Sequence, residues 1–197
     1  MTDYTVADLV AEFLDALGVR TAFGVISVHN IPMMDAISKR NAIRMIPTRG
    51  EPGAIHMADG FARASGGIGV MFSSTGPGAA NAVGGLVEAR FASTPLLHIT
   101  GQTRTAHLGR GMGTTHDVDD QLGMLKSSGK GAWRIPSAAE ALGTLVRAAR
   151  EAMTPPCGPV SIEIPIDIQR APLPRPAALD TLNLIPPIPD GPTPEAL

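Results

Sequence analysis

The chain has 197 residues, enough for one domain with a core of its own or for a domain plus an appendage. Only 17% of residues are charged, against roughly 25% in an ordinary soluble domain, and the net charge of −2 includes no basic cluster, so nucleic acid finds no electrostatic footprint. No apolar run approaches the roughly 18 residues of a membrane span, the start Met1-Thr2-Asp3-Tyr4 has no secretory pattern, and the single Cys157 excludes an internal disulfide or a multi-cysteine zinc site, which together predict a cytoplasmic protein.

In chain order, Thr5-Val6-Ala7-Asp8 reads as a capping box, and Val6, Leu9, Val10, Phe13, Leu14 and Leu17 recur at helical spacing up to a C-terminal Gly18. Residues 21–26 form a short apolar run, read as a strand, and Asn30 is placed to cap a helix to about residue 39. A strand over 43–46 precedes a helix over about 51–64. Another strand, 68–72, leads to a helix that opens near Gly78 and runs to about Phe91. A fourth strand spans 96–100. The stretch 101–130 holds six glycines and no clear period, so it reads as a long loop with one helical turn near 119–125. A weak strand at 133–135, a helix over 138–153 and a last strand at 160–164 follow. Six mostly continuous apolar strands separated by helices predict a parallel sheet covered on both faces, a three-layer α/β/α fold.

After Arg170 the composition changes, with eight of the eighteen prolines among the last 27 residues. The division expected is therefore a domain over 1–170 and an extended, Pro-rich linker over 171–197, with neither strand nor helix in it. A linker with nothing after it predicts a longer parent protein.

The loop Ser73-Ser74-Thr75-Gly76-Pro77-Gly78 joins a buried strand to a helix, a setting that lets ligand approach backbone amides. It is no dinucleotide fingerprint, because Asn81 stands where the third glycine belongs, and no Gly-Lys-Ser/Thr follows for a P-loop. Glu51 comes just after the second strand, in Gly50-Glu51-Pro52-Gly53; alone it would read as a carboxylate favoured by the helix dipole. Strand ends of open parallel sheets are where ligands bind, however, and Glu51 and the glycine loop belong to two such ends. His29 follows the first strand at the same edge, and His116 lies in the long loop; either suits acid–base work near neutral pH. His107 reads as a bystander, His56 as a structural residue within its helix and His98 as a packed strand residue. His116-Asp117-Val118-Asp119-Asp120 reads as a solvated acidic turn rather than a metal cluster.

Taken together the motifs carry a family pattern. Glu51 is followed by His56-Met57-Ala58-Asp59-Gly60-Phe61-Ala62-Arg63-Ala64-Ser65-Gly66, then by Thr75-Gly76-Pro77-Gly78-Ala79-Ala80-Asn81. Pro95-Leu96-Leu97-His98-Ile99-Thr100-Gly101-Gln102, Asp120-Gln121-Leu122-Gly123-Met124 and Gly158-Pro159-Val160-Ser161-Ile162-Glu163-Ile164-Pro165 complete it. Over residues 3 to about 170 this series resembles the N-terminal, pyrimidine-binding domain of thiamine diphosphate enzymes of the acetolactate synthase, benzoylformate decarboxylase and pyruvate decarboxylase group.

The resemblance implies sheet order 2-1-3-4-6-5 and an active site shared with the diphosphate-binding domain of a second subunit, in a homodimer or homotetramer. In the family that other domain holds Mg²⁺ and the diphosphate through a Gly-Asp-Gly motif, which this sequence lacks. The implied substrate is a 2-oxo acid and the implied activity that of a lyase or transferase, with the isolated chain inactive. Glu51 is implied to hydrogen-bond the aminopyrimidine and so activate thiamine, with Thr75, Gly76, Pro77, Gly78 and Asn81 forming or supporting the cofactor cradle and His29 and His116 as further catalytic groups. A flavin (FAD) in the middle domain is compatible with the family, but nothing in these residues supports one. Ile26-Ser27 stand where Pro-Gly is usual, Gly50 where His is common, and Thr115-His116-Asp117 where acetolactate synthases carry Phe-Gln-Glu. A His in that loop suits other decarboxylases and carboligases. A binding module that kept the fold without catalysis, a naturally split enzyme and an unrelated nucleotide-binding α/β domain are the alternatives.

Overall fold

A computed structural model describes residues 4–184. Its first helix, α1 (Val6–Ala16), starts as the sequence dictates: the Asp8 amide donates to Thr5 Oγ1 at 3.3 Å, and the Thr5 amide donates back to Asp8 Oδ2 at 2.9 Å. The apolar positions Val6, Leu9, Val10, Phe13 and Leu14 are all fully buried. Then β1 (Thr21–Gly24), α2 (Ile31–Arg40), β2 (Arg44–Pro47), α3 (Glu51–Ser65), β3 (Gly69–Ser73), α4 (Pro77–Phe91) and β4 (Leu96–Gln102) alternate as expected. They are followed by α5 (Gln121–Ser128), β5 (Gly131–Arg134), α6 (Ala141–Met153), β6 (Pro159–Pro165) and a single turn, α7 (Ile166–Gln169).

The six strands make one all-parallel sheet in the order β2-β1-β3-β4-β6-β5. Helices α1, α2 and α6 cover one face and α3, α4 and α5 the other, so the fold is the three-layer α/β/α sandwich that the apolar strands predicted. Strand residues alternate between the two cores: Val70, Phe72, Leu97 and Ile99 serve the first, and Met71 and Leu96 the second. Each such side chain, fully removed from water, contributes about 1.5–3 kcal/mol of transfer free energy.

Three expectations need correction. The stretch 101–130 is not loop throughout: β4 runs on to Gln102, a 3₁₀ turn covers Thr105–His107, and α5 has eight residues, capped by Asp120 Oδ1, which accepts from the Gly123 amide at 2.8 Å. Asn30 stands at the start of α2 without capping it. Its side chain instead accepts from the Ser27 amide (2.9 Å) and donates to the carbonyls of Val25 (2.9 Å) and Ser73 (3.1 Å), tying the β1–α2 loop to the end of β3.

The third correction concerns the Pro-rich segment, which does not leave the domain at Arg170. The Leu173 amide donates to the Tyr4 carbonyl at 2.9 Å, Pro172 bridges Thr5, and Ala177–Thr181 forms a 3₁₀ turn. Leu179 and Leu184 are buried in the α1 core, and the Arg175 guanidinium donates to Glu12 Oε1 at 2.8 Å and Asp180 Oδ1 at 2.6 Å. Proline breaks sheets and long helices but suits extended and 3₁₀ backbone, so leucines spaced between prolines still reach the core. The rest of the expected linker, 185–197, lies outside the described residues.

Candidate functional site

The carboxyl-terminal ends of β1, β2, β3 and β4 gather the sequence motifs at one edge of the sheet. Glu51 opens α3 just beyond β2, with Pro52 behind it in the first turn. Its side chain is 7% exposed, and among the described residues it has no hydrogen-bond or ion-pair partner. Beyond β3, Gly76 has φ +55 and ψ −113 and Pro77 begins α4. Both glycines of that loop are required by close approach. A Cβ on Gly78 would come within 2.6 Å of Glu51 Oε1 and 2.7 Å of Ser74 Cβ, and one on Gly76 would strike the backbone carbonyl of His116. The Gly-Pro-Gly loop is thus wedged between Glu51 on one side and the His116 segment on the other.

His116 has φ +66, in the left-handed region that His tolerates better than most residues, and its side chain is exposed. Its ring lies 5.7 Å from that of His29, at 41°. His29 is 8% exposed, and its Nδ1 has no partner. Burial, assisted by the charge of His116, holds His29 below the ordinary histidine range, so it is neutral at pH 7. Its carbonyl is pressed against Gly101, where a Cβ would collide with it, and accepts from Gln169 Nε2 at 2.7 Å.

The sequence reading named Thr75 as a cradle residue, and the structure turns its side chain to a buried network. Gln121 Oε1 accepts from the Gly76 amide at 2.6 Å and from Thr75 Oγ1 at 2.8 Å, and Gln121 Nε2 donates to Glu163 Oε2 at 2.9 Å. Gln102 Nε2 donates to the same carboxylate oxygen at 3.2 Å, and Arg134 pairs with the other. Glu163 is fully buried in β6, so these donors are what makes its charge tolerable. This network holds the glycine loop from beneath, and no functional role had been read for Gln102, Gln121 or Glu163. The signal was present: a glutamate in the fully buried run Val160-Ser161-Ile162-Glu163-Ile164 demands partners.

The other histidines sort themselves. His98 is fully buried in β4 between the Ser73 hydroxyl (2.8 Å) and the Ser161 hydroxyl (3.0 Å), packed as expected, and burial pushes its pKa down to about 3. His56 is exposed on α3, so a packing role is not what it has. Asn81 is also exposed and its side chain caps nothing; the loop is held by Gln121 instead. Asp119 and Asp120 are exposed, and among the described residues no three His, Cys, Asp or Glu side chains are grouped to hold a metal ion. No helix among the described residues is long and apolar enough to cross a membrane.

Comparison with known proteins bears directly on this edge. The family model described as "Thiamine pyrophosphate enzyme, N-terminal TPP binding domain" matches residues 4–124, which include Glu51, the glycine loop and both loop histidines. The acetolactate synthase large subunit of Lactococcus lactis is 35% identical over 162 residues, 82% of this chain and 28% of that protein. A probable acetolactate synthase large subunit of Methanocaldococcus jannaschii is 36% identical over 163 residues, 83% of this chain and 27% of the relative. A probable 2-ketoarginine decarboxylase of Pseudomonas aeruginosa is 34% identical over 169 residues, 86% of this chain and 30% of the relative. The chain thus spans less than a third of the length of these relatives, and the unrelated nucleotide-binding alternative falls away. With its parallel sheet, its Glu51 and its Gly-Pro-Gly loop, the chain belongs to the thiamine pyrophosphate enzymes, as their N-terminal TPP-binding domain.

Proposed function

We propose that this chain supplies the pyrimidine side of the active site in a thiamine diphosphate-dependent 2-oxo acid decarboxylase or carboligase. One observation carries the reading: Glu51, a buried carboxylate without a partner among the described residues, lies against a glycine where a Cβ would fill the space. Such a group is costly to bury unless a ligand engages it, and a ring nitrogen carrying a proton is a fitting partner. Bound thiamine diphosphate supplies the electron sink that lets a 2-oxo acid lose CO₂.

The chain's own contribution follows from the geometry. Glu51 would hold or exchange a proton with the ring nitrogen of the bound cofactor through its carboxyl group. Gly76, Pro77 and Gly78 present backbone rather than side chain, so the ring can lie close to the loop. Thr75 and Gln121 keep that loop in place from the protein side. His29 and His116 stand next to it and can orient a carboxylate or carry a proton, typically worth ~10²–10⁴-fold in rate.

Diphosphate and Mg²⁺ belong, on this reading, to a domain supplied by a second subunit of a homodimer or homotetramer. The surface supports such assembly: Met57 and Phe61 of α3 and Val87 and Phe91 of α4 expose apolar area on the covering helices, with Phe91 88% exposed.

The test is exchange of the thiamine C2 proton with deuterium in the cofactor-loaded assembly. Glu51→Gln keeps shape and should slow exchange strongly while leaving the melting temperature unchanged. Exchange as fast as wild type, with a stability loss of about 0.3–1 kcal/mol from the lost helix-dipole interaction, would mean that Glu51 only caps α3.

A further inference from the structure

Glu163 has no exposed surface in β6, and an ionised carboxylate can only accept hydrogen bonds. Three donors meet it: Gln121 Nε2 at 2.9 Å and Gln102 Nε2 at 3.2 Å share Oε2, and Arg134 pairs with Oε1. A carboxamide carries its donor and its acceptor on opposite arms, so drawing both nitrogens towards Glu163 turns both oxygens away from it. Gln102 Oε1 accepts from the Thr103 amide at 2.7 Å, and Gln121 Oε1 from the Gly76 amide at 2.6 Å. Both glutamines are buried, so a reversed amide would leave donor facing donor, shielded from bulk water.

The Thr75–Gly76 peptide receives that polarity. Gly76 stands at the first central position of a turn in which the Gly78 amide donates to the Thr75 carbonyl at 3.1 Å. The Gly76 carbonyl, on its other side, accepts from the Ala80 amide at 2.9 Å. Gly76 has φ +55, and glycine takes either sign of φ at little cost, so the backbone by itself does not hold this peptide plane. Turned over, the peptide would offer the Thr75 carbonyl to Gln121 and lose the Gly78 bond. What keeps the Gly76 N–H facing inward is the polarity of the Gln121 amide, and what keeps that polarity is Glu163.

We propose that Glu163 is the positioning residue of the glycine loop: its carboxylate orients the Gln121 amide, and that amide fixes the Thr75–Gly76 peptide plane with its N–H turned into the protein. Among the described residues Glu163 makes no hydrogen bond to the loop itself, so it acts through Gln121. That a cofactor ring meets the outer side of this peptide rests on the function proposed above; the lock on the peptide does not.

The experiment needs no cofactor. Amide hydrogen exchange of the whole 197-residue chain is followed residue by residue by NMR, in the wild type and in Glu163→Gln. Arg134 demands the remaining oxygen of the new amide, so its nitrogen meets the Gln121 nitrogen, Gln121 turns over and the peptide follows. The Gly76 and Gly78 amides should each exchange about tenfold faster or more. The Ala80 amide, bonded to the carbonyl on the other side of Gly76, and the amides of β4 should keep their protection. The double substitution Gln121→Glu with Glu163→Gln moves the carboxylate to position 121 and a donor to position 163, and it should restore slow exchange at Gly76. Wild-type exchange at Gly76 in Glu163→Gln, an equal loss of protection at Ala80 or β4, or a double variant in which Gly76 stays unprotected, folded or not, would overturn the lock. C2 exchange that depends on Glu51 would survive any of these failures, and its own failure would leave the lock standing.

Discussion

Glu51 Oε1 lies where a methyl group on Gly78 would have to go, 2.6 Å from the position of that Cβ. The two residues come from different strand ends and are 27 positions apart, yet each fixes what the other can be. A glutamate needs the hollow that the glycine leaves, and the glycine needs no special φ of its own, only room. Gly78→Ala should therefore act on Glu51 rather than on α4, where alanine is the better helix former by up to about 1 kcal/mol. Displacing the carboxyl by an ångström should lower C2 proton exchange or turnover by about 10² in the cofactor-loaded protein, and the melting temperature should fall as well, because the same Cβ meets Ser74 Cβ at 2.7 Å. Wild-type activity in this variant would mean that Glu51 has no fixed working position.

A second prediction concerns Gln121, which joins the glycine loop to the buried Glu163. Gln121→Leu removes the acceptor of the Gly76 amide and one donor to the carboxylate, while Thr75 Oγ1 keeps Gln102 Oε1 as an acceptor at 3.0 Å. Buried groups left unpaired cost about 1–3 kcal/mol each, so a total near 3 kcal/mol should appear as a melting temperature lower by roughly 6–12 °C. A change of a degree or less, measured by thermal unfolding, would show that water or a neighbouring amide replaces Gln121 at no cost.

The contrast between those two sites shows what the sequence made legible. Continuous apolar strands and helical spacing were enough for the layered fold, and the ordered motifs placed Glu51 and Gly76–Gly78 at one sheet edge. That Glu51 touches Gly78 needed the packing of α3 on α4, which no local pattern encodes. Gln102, Gln121 and Glu163 are spread over 62 positions and meet only because β4 and β6 are neighbours in register, Gly101 opposite Ile164 and Gln102 opposite Pro165. The Pro-rich segment misled for a different reason. Composition reports what backbone proline forbids, while docking was decided by Leu179, Leu184 and the Arg175–Glu12 pair.

His98 makes stability depend on pH. Its folded pKa, about 3, lies below the 6.5 of an unperturbed imidazole because burial penalises the charged ring. Between those values the unfolded chain binds more protons than the folded one, so stability falls as pH falls through 6.5 and is fully present above it. Acidification from pH 8 to pH 5 should cost about 2 kcal/mol from this group alone. His98→Gln retains polar atoms for Ser73 and Ser161 but has no proton to gain, so denaturant unfolding at the two pH values should show a smaller difference in the variant. An equal difference would assign the acid sensitivity to other groups, though not to Glu12: burial opposes its ionisation, but Arg175, Tyr4 and Arg40 outweigh it, and its contribution is lost only as pH falls below the ordinary 4.5.

The last prediction separates the two ends of the cofactor. The cradle of Glu51 and the glycine loop is built for a ring, and it offers no cation to a diphosphate. The sequence contains no Gly-Asp-Gly, the motif that the resemblance implies for Mg²⁺, and no group of three metal-ligating side chains exists among the described residues. Magnesium with diphosphate should supply much of the binding free energy in the complete site, through oxygen ligands that Mg²⁺ requires. The 197-residue chain alone should therefore bind thiamine and thiamine diphosphate with similar, weak affinity, and Mg²⁺ should make no difference to either. Titration calorimetry of the four combinations measures this directly. Tight binding of the diphosphate form that depends on Mg²⁺ would place the charged end of the cofactor on this chain, and with it the half of the site assigned here to a second subunit.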